Sequence, residues 1–321
     1  MKSSVRILVA LSAMLAATSA FAENYPSKPV KIIIPFSAGG VTDIAGRLIA
    51  QRLSERLGQQ FYIENLGGAG GNLGMAQVAR APADGYTVLL SSSSVTVNPS
   101  LYASMPFDPE KDLTPVTKAG GSPNSWLVNP DFPARTMKEM IELIRKEPGK
   151  YSVGSPGAGT TPSLSIEQLK HDLKLNFVTV PFAGGGPMTQ SLLGGHVPIV
   201  CGAIGNSVAL IKEGKIRALG LTDKKRLETL PDIPTLDEMG IKDQEGETMT
   251  GVFVPAGKPK EIVTLLQKEI AAVVKSPDIK ARLLEVGVVP EGNTPEEFSA
   301  YLKADIAKWR KVIADAKIPK I

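Results

Sequence analysis

Val30-Lys31-Ile32-Ile33-Ile34-Pro35-Phe36-Ser37-Ala38-Gly39-Gly40-Val41-Thr42-Asp43-Ile44-Ala45-Gly46-Arg47-Leu48-Ile49 is the stretch on which the fold turns. A β-branched run stops at a proline, a glycine turn follows, and Ile44, Leu48, Ile49 and Leu53 then recur at helical spacing, with Leu57 a turn further on and Gly58 as the stop. The reading is strand, loop, helix. The unit repeats, with Phe61 to Glu64 as a strand, a glycine-rich turn, a helix through Met75 to Ala81, and Tyr86 to Leu90 as a buried strand. Such alternation predicts an α/β protein with a mostly parallel sheet and helices on both faces.

A second series begins near Trp126-Leu127-Val128. It continues as a helix at Met137 to Lys146, a strand at Tyr151 to Val153, a helix from about Ser163 to His171 and a strand at Phe177 to Val180. A helix at Pro187 to Leu193 and strands at Ile199 to Cys201 and Ala218 to Leu221 complete it. From Phe253 the chain reads as helical, with amphipathic stretches at Glu261 to Lys275, Pro277 to Glu285 and Pro295 to Ala314. These helices bring no sheet of their own, so they are expected to pack on the N-terminal sheet.

The 321 residues suffice for about two domains with cores that need no disulfides. Balanced charge, 36 Lys and Arg against 32 Asp and Glu, excludes a disordered charged tail protein, and 5% aromatic content argues against a reader of stacked bases. One Cys and two His exclude the usual structural zinc site and an intramolecular disulfide. No cofactor is expected: Gly154, Gly157 and Gly159 have the wrong order for a dinucleotide loop, and no Lys-Ser/Thr pair closes a phosphate loop.

Residues 1–22 read as a cleaved signal peptide. Lys2 and Arg6 precede an apolar run from Ile7 to Ala17, and Ala20-Phe21-Ala22 is a small-x-small cleavage site. The apolar run is too short to cross about 30 Å of hydrocarbon, and no Cys follows the cleavage point to take a lipid. The expected location is the periplasm.

In open α/β sheets ligands lie beyond the carboxyl ends of strands, at helix N-termini. Four loops rich in Gly and hydroxyls occupy such places: Pro35 to Asp43, Ser91 to Thr96, Gly154 to Thr161 and Pro181 to Pro187. Glycine admits a close approach to backbone N–H groups, and a helix start adds roughly half a positive charge. No catalytic residue is expected, because His171 and His196 have no nucleophile in a recognisable motif nearby, and Cys201 reads as a small buried hydrophobe. Trp126, Trp309, Met137 and Met140 read as packing residues, and Lys224-Lys225-Arg226 as a solvated turn.

Several segments together resemble the substrate-binding proteins of tripartite tricarboxylate transporters, the Bug family. They include Tyr25-Pro26-Ser27-Lys28-Pro29-Val30, Pro35 to Asp43, Glu64-Asn65-Leu66-Gly67-Gly68-Ala69-Gly70-Gly71-Asn72-Leu73-Gly74 and Asp84-Gly85-Tyr86-Thr87. Asn98 to Tyr102, Leu192 to Gly195, Gly214 to Leu219, Leu230 to Thr235 and Thr294 to Phe298 extend the likeness along the whole mature chain.

The resemblance implies a periplasmic binding protein of type II-like fold, two α/β domains joined by a hinge with a ligand cleft between them. One domain would comprise residues 23–121 plus 249–321, the other residues 122–248. It implies capture of a small organic carboxylate, a dicarboxylate, tricarboxylate or aromatic acid, by a monomer that delivers it to the membrane permease subunits of such a transporter. A ligand-presenting role for a sensor kinase is the alternative, and a secreted enzyme a more remote one; no nucleic-acid partner is implied. On this chain the ligand-binding residues would be Phe36, Ala38, Gly39, Gly40, Thr42 and Asp43, with Ser92, Ser93 and Ser94 on the same wall. The other domain would contribute Ser155, Gly157, Thr160, Thr161, Phe182, Ala183 and Gly184, with Phe36 and Phe182 sandwiching the carbon skeleton. Gly202 stands where many relatives carry an Asp suited to an ammonium group, so the resemblance points away from amino acids as ligands.

Overall fold

The computed structural model describes residues 25–257 and 259–321. The signal-peptide reading falls on residues outside these.

Five strands, a two-residue sixth at Val289–Pro290 on the edge of the long strand Leu113–Val128, and their flanking helices build the first lobe. β1 (Val30–Ile34) lies parallel to β2 (Phe61–Asn65) and β3 (Thr87–Ser91), and β3 runs antiparallel to β9 (Glu247–Pro255). β9 in turn pairs antiparallel with β4 (Leu113–Val128). The strands bury both faces, and the period of two is visible in the cores. Ile32, Ile34, Val88, Leu90, Val252 and Val254 face one layer, while Ile33, Leu89 and Phe253 face the other. The first layer is closed by α1 (Val41–Leu57), α8 (Lys260–Lys275) and α9 (Pro277–Glu285), through Ile49, Leu53, Leu266, Ile270 and Leu283 among others. The second is closed by α2 (Asn72–Ala79), α3 (Ser94–Leu101) and the start of α10 (Pro295–Asp315). Each large buried side chain of this kind stabilises by about 1.5–3 kcal/mol, so together they outweigh any single polar contact in the lobe.

The second lobe hangs on the far half of β4. Asn124 to Val128 pair antiparallel with β7 (Ile199–Ala203), and Ser125 to Val128 with β8 (Arg217–Leu221). β7 lies parallel to β5 (Ser152–Ser155), and β5 parallel to β6 (Val178–Pro181). Trp126, Val153, Ile199, Cys201 and Leu219 pack on α4 (Met137–Lys146) and α5 (Thr161–Asp172). Leu127, Val200 and Leu221 face α6 (Gly185–Leu193) and α7 (Val208–Lys212) on the other side.

Three departures from the sequence reading have physical causes. The sheet is mixed, because the long strands β4 and β9 run opposite to their neighbours at its centre. Both were largely invisible to hydropathy. The middle of β4, Thr117-Lys118-Ala119-Gly120-Gly121-Ser122-Pro123-Asn124-Ser125, is polar and small yet buried throughout, so no apolar alternation marks it. Secondly, Ser94 to Leu101 is a helix with Pro99 inside it, where the serine run reads as a loop. Thirdly, the C-terminal helices do not all stay on the first lobe. α8 and α9 do, but α10 carries Trp309 and Ile313 into a cluster with Val97 and Leu101 of α3 and Leu164 of α5, bridging the lobes.

β4 is the connection between lobes. Its 16 residues, at about 3.3 Å each, span both sheets, and β9 accompanies it across the junction with Gly121 opposite Met249, Ser122 opposite Thr248 and Pro123 opposite Glu247. Among the described residues no helix is long and apolar enough to cross a membrane.

A candidate anion-binding cavity between the lobes

The strands run so that their carboxyl ends, in both lobes, point at the junction. Residues 35–40 leave β1 and enter α1; Ser92 and Ser93 leave β3 and enter α3. From the other side, residues 156–160 lead from β5 to α5, and residues 182–184 from β6 to α6. Between them lies a cavity of about 60 Å3. Its first-lobe wall is Phe36, Ser37, Gly40, Val41, Thr42, Asp43, Ser92, Ser93 and Thr248. Pro156, Thr160, Thr161, Pro162, Gly184, Gly185, Ala203 and Asn206 face them from the second lobe.

Three helix N-termini open on this space. The first intrahelical bond of α1 is Ile44 N–H to Gly40 C=O at 3.0 Å, that of α5 is Leu164 to Thr160 at 3.2 Å, and that of α6 is Met188 to Gly184 at 3.4 Å. The N–H groups before those points, at Val41 and Thr42, Thr161, and Gly185, have no partner within their helices, and they belong to cavity-lining residues. Gly184 holds φ at +125°, a backbone shape that side chains strain to adopt. Among the described residues no Lys, Arg or His lines the cavity. Positive potential there comes from peptide dipoles, roughly half a charge per helix start.

Among the described residues the one carboxylate in the wall, Asp43, is already spent. Asp43 Oδ2 accepts from the Gly39 N–H at 3.0 Å and from Arg47 Nε at 3.0 Å, while Oδ1 accepts from Arg47 Nη2 at 3.0 Å and Asn65 Nδ2 at 2.9 Å. Burial pushes this carboxyl up, but the hydrogen bonds from Arg47, Gly39 and Asn65, with the charge of Arg47, outweigh it and hold it below the usual range. Asp43 therefore ties the β1–α1 loop to its own helix, helped by Asn65 Nδ2 donating to Phe36 C=O at 3.0 Å. Its carboxylate has no capacity left for a cationic ligand.

The lobes touch around the cavity. Ser37 Oγ donates to Ala183 C=O at 3.0 Å, across the mouth. At the back, the Glu247 carbonyl accepts from Ser93 Oγ of the first lobe at 3.1 Å and from Thr161 Oγ1 of the second at 2.7 Å. Glu247 is thus the point where strand β9 senses both walls.

Of the residues expected from sequence, Phe36, Gly40, Thr42, Asp43, Ser92, Ser93, Thr160, Thr161 and Gly184 meet at the cavity. The others sit just outside it for identifiable reasons. Ala38 and Gly39 are exposed at the outer bend of the loop, with Gly39 engaged by Asp43. Ser94 turns its hydroxyl toward Ser92 and Met75. Ser155 is buried at the end of β5, where its Oγ accepts from the Gly157 N–H at 3.4 Å, and the Gly157 carbonyl accepts from Thr160 Oγ1 at 2.7 Å. Phe182 packs into the second-lobe core with Val200 and Leu192, so the expected aromatic sandwich reduces to Phe36 alone. Ala183 contributes its carbonyl to Ser37 rather than a cavity wall. Gly202 points the wrong way: a side chain there would run into Met188, and it is Ala203, the next residue on the strand, that lines the cavity.

With this geometry in view, comparison with known proteins is decisive. Residues 45–318 match the family model described as the tripartite tricarboxylate transporter family receptor. The chain belongs to this family. Protein BugT of Bordetella pertussis is 31% identical over 318 residues, covering 97% of this chain and 95% of that protein. Among solved structures, an R. palustris protein with adipate superposes with a TM-score of 0.89 at 35% identity, covering 92% of this chain and all of the other. MatC from Rhodopseudomonas palustris with bound malate gives 0.85 at 31% identity, covering 90% and 100%. The receptor accordingly has the two-domain α/β fold of periplasmic solute-binding proteins.

Four residues of the receptor's cavity, Pro162, Ala203, Asn206 and Thr248, lie outside the loops and residues expected from its sequence. Thr248 lies on β9, which hydropathy hides. Asn206 closes the short turn after β7, and the rule that ligands gather beyond strand ends would have found it had it been applied to that strand as well. Among the described residues no cluster of His, Cys, Asp or Glu is arranged to hold a metal ion.

Proposed function

We propose that the receptor captures a short organic dicarboxylate of four to six carbons in this cavity and delivers it, without chemical change, to membrane permease subunits of a tripartite transporter. The observation that carries this reading is the convergence of three helix N-termini on one cavity that has, among the described residues, no basic side chain and no free carboxylate. Peptide dipoles and hydroxyls hold an anion less tightly than an Arg clamp does, which suits a protein that must release its cargo. A ligand ammonium would find no counter-charge, since Asp43 is saturated by Arg47, Asn65 and Gly39. That argument against amino acids replaces the one from Gly202.

Related proteins solved with malate and with adipate support a chain of four to six carbons. One carboxylate would sit at the α1 start with Thr42 and Ser92, against Phe36, and the other at the starts of α5 and α6. We place the hinge between Gly121 and Ser122 and between Thr248 and Met249, giving lobes of residues 23–121 with 249–321, and 122–248. Closure about it brings Ser37 to Ala183, as in the present conformation. Residues 1–22 would direct export to the periplasm and be removed once it has begun.

The test is calorimetric titration of the protein, purified without refolding, against succinate, adipate, citrate, benzoate, glutamate and aspartate. A dicarboxylate should bind most tightly. Tighter binding of an amino acid, or no heat with any organic acid, refutes the proposal.

A further inference from the structure

Asn98 stands on α3, beyond the cavity-wall residues Ser92 and Ser93, and does not itself line the cavity. Its amide is oriented by the first lobe alone. Nδ2 donates to the Gly70 carbonyl at 3.0 Å and to Asn72 Oδ1 at 2.7 Å, so both amide hydrogens are committed and the group cannot turn over. Oδ1 is left over: it is shut off from solvent and, among the described residues, accepts no hydrogen bond. A buried acceptor without a partner costs the full desolvation of that group.

What covers the oxygen belongs to the other lobe. A Cβ on Gly159 would come closer than 3.0 Å to Asn98 Oδ1, so a glycine C–H face lies on the oxygen. Gly159 sits in the loop from β5 to α5, which the Thr160 hydroxyl fastens by donating to the Gly157 carbonyl at 2.7 Å. The groups that orient Asn98 move with the first lobe and the glycine moves with the second. Parting the lobes lets water reach Oδ1, and bringing them together strips that water without returning a hydrogen bond of comparable strength. The same two helices also carry an attraction, since Val97 and Leu101 of α3 pack with Leu164 of α5. That apolar contact favours closure whether or not ligand is bound, and the stranded acceptor beside it opposes closure.

We infer that Asn98 is a built-in counterweight to closure, which keeps the empty receptor open until ligand bound in the cavity supplies the free energy to cover its side-chain oxygen. Because Asn98 is outside the cavity wall, the effect does not depend on which anion is bound. On the transport reading above, it keeps an empty receptor from presenting the closed shape to its partner.

The experiment combines small-angle scattering without ligand and calorimetry with malate and adipate, on wild type, Asn98→Ala and Asn98→Asp. Asn98→Ala loses the bonds to Gly70 and Asn72 and so lowers the melting temperature, but those bonds exist whether the lobes are together or apart. It also removes the stranded oxygen, which matters only when they are together. The ligand-free variant should therefore be more compact than ligand-free wild type, and should bind whichever acid wild type binds about 5- to 140-fold more tightly. Asn98→Asp keeps an oxygen beneath Gly159 and adds charge, so it should bind more weakly than wild type. If Asn98→Ala melts below the assay temperature, Asn98→Ser, whose hydroxyl can donate as Nδ2 did, carries the same expectation as the alanine. Weaker binding by Asn98→Ala or Asn98→Ser, or ligand-free dimensions and affinity both unchanged, overturns the inference, since a residue that merely supports the fold would move alanine and aspartate variants in one direction. Should wild type bind no organic acid, the proposed function falls, and the ligand-free scattering still decides whether Asn98 opposes closure.

Discussion

Closure of the lobes around the cavity can be tested by Gly159→Ala. Gly159 lies in the second-lobe loop before α5, at φ +76°, and a Cβ built on it comes closer than 3.0 Å to Asn98 Oδ1 on α3 of the first lobe. Asn98 cannot step aside at low cost. It is fully buried, and its Nδ2 donates to the Asn72 Oδ1 at 2.7 Å and to the Gly70 carbonyl at 3.0 Å. The substitution has separable effects. Left-handed backbone strain of about 1–2 kcal/mol weakens the fold whether the lobes are together or apart. Overpacking against Asn98, about 1–3 kcal/mol, exists only when they are together. At about 1.4 kcal/mol per tenfold, the second effect should raise the ligand Kd by about 5- to 140-fold. Calorimetry reads the affinity, and small-angle scattering reads the shape, which should be more extended than wild type without ligand. A variant with wild-type affinity and wild-type dimensions would show that Gly159 and Asn98 do not meet in the bound state, and the closure argument would fail.

Other substitutions probe other parts of the reasoning. Asp43→Asn should destabilise by about 1–3 kcal/mol at pH 7 and weaken ligand binding, by loosening the β1–α1 loop. Because the folded-state pKa of Asp43 is depressed, its contribution is present above the ordinary value of about 3.9 and lost as pH falls through the lower folded value. The stability gap between variant and wild type in urea titrations should therefore close in acid, and a gap independent of pH would contradict the assigned network. Lys118 is buried on β4, paired with Glu247 and with Glu291 at 2.7 Å; burial lowers its pKa, yet the two carboxylates hold it above the usual range. Lys118→Met, which strands those carboxylates, should cost about 3 kcal/mol, and a neutral result in denaturant titration would refute the pairing. Cys201 is fully buried, and burial pushes its thiol up, so a thiol reagent should label it only as fast as the protein unfolds. Rapid labelling of the native protein would count against the second-lobe core as described.

Much of this architecture is legible in local patterns. The run Val30 to Ile34 and the spacing of Ile44, Leu48 and Leu53 announce strand and helix because burial of both sheet faces and one helix face leaves a direct mark on composition. The loops after those strands announce themselves by glycine and hydroxyls, which is why Gly40, Thr42, Ser92, Ser93, Thr160, Thr161 and Gly184 are found at the cavity. What stays hidden has its physical reason too. Small polar residues from Thr117 to Ser125 are buried by pairing on both edges, not by hydrophobicity, so β4 leaves no period in the chain. Whether residue 202 or 203 faces the cavity depends on strand phase, which Met188 packing from α6 decides.

By itself, then, the sequence determined the strand–loop–helix units outside β4, β9 and α3, the family and the supply of glycine and hydroxyl residues at strand ends, because those follow from residue chemistry over a few neighbouring positions. Tertiary structure alone decided that Asp43 is consumed by Arg47 and Asn65, that Phe182 serves the core, and that Asn98 Oδ1 is left unpartnered beneath Gly159. Which hydrogen-bonding groups remain free is a sum over contacts from residues far apart in the chain, and that sum fixes both what a ligand meets and what closing on it costs.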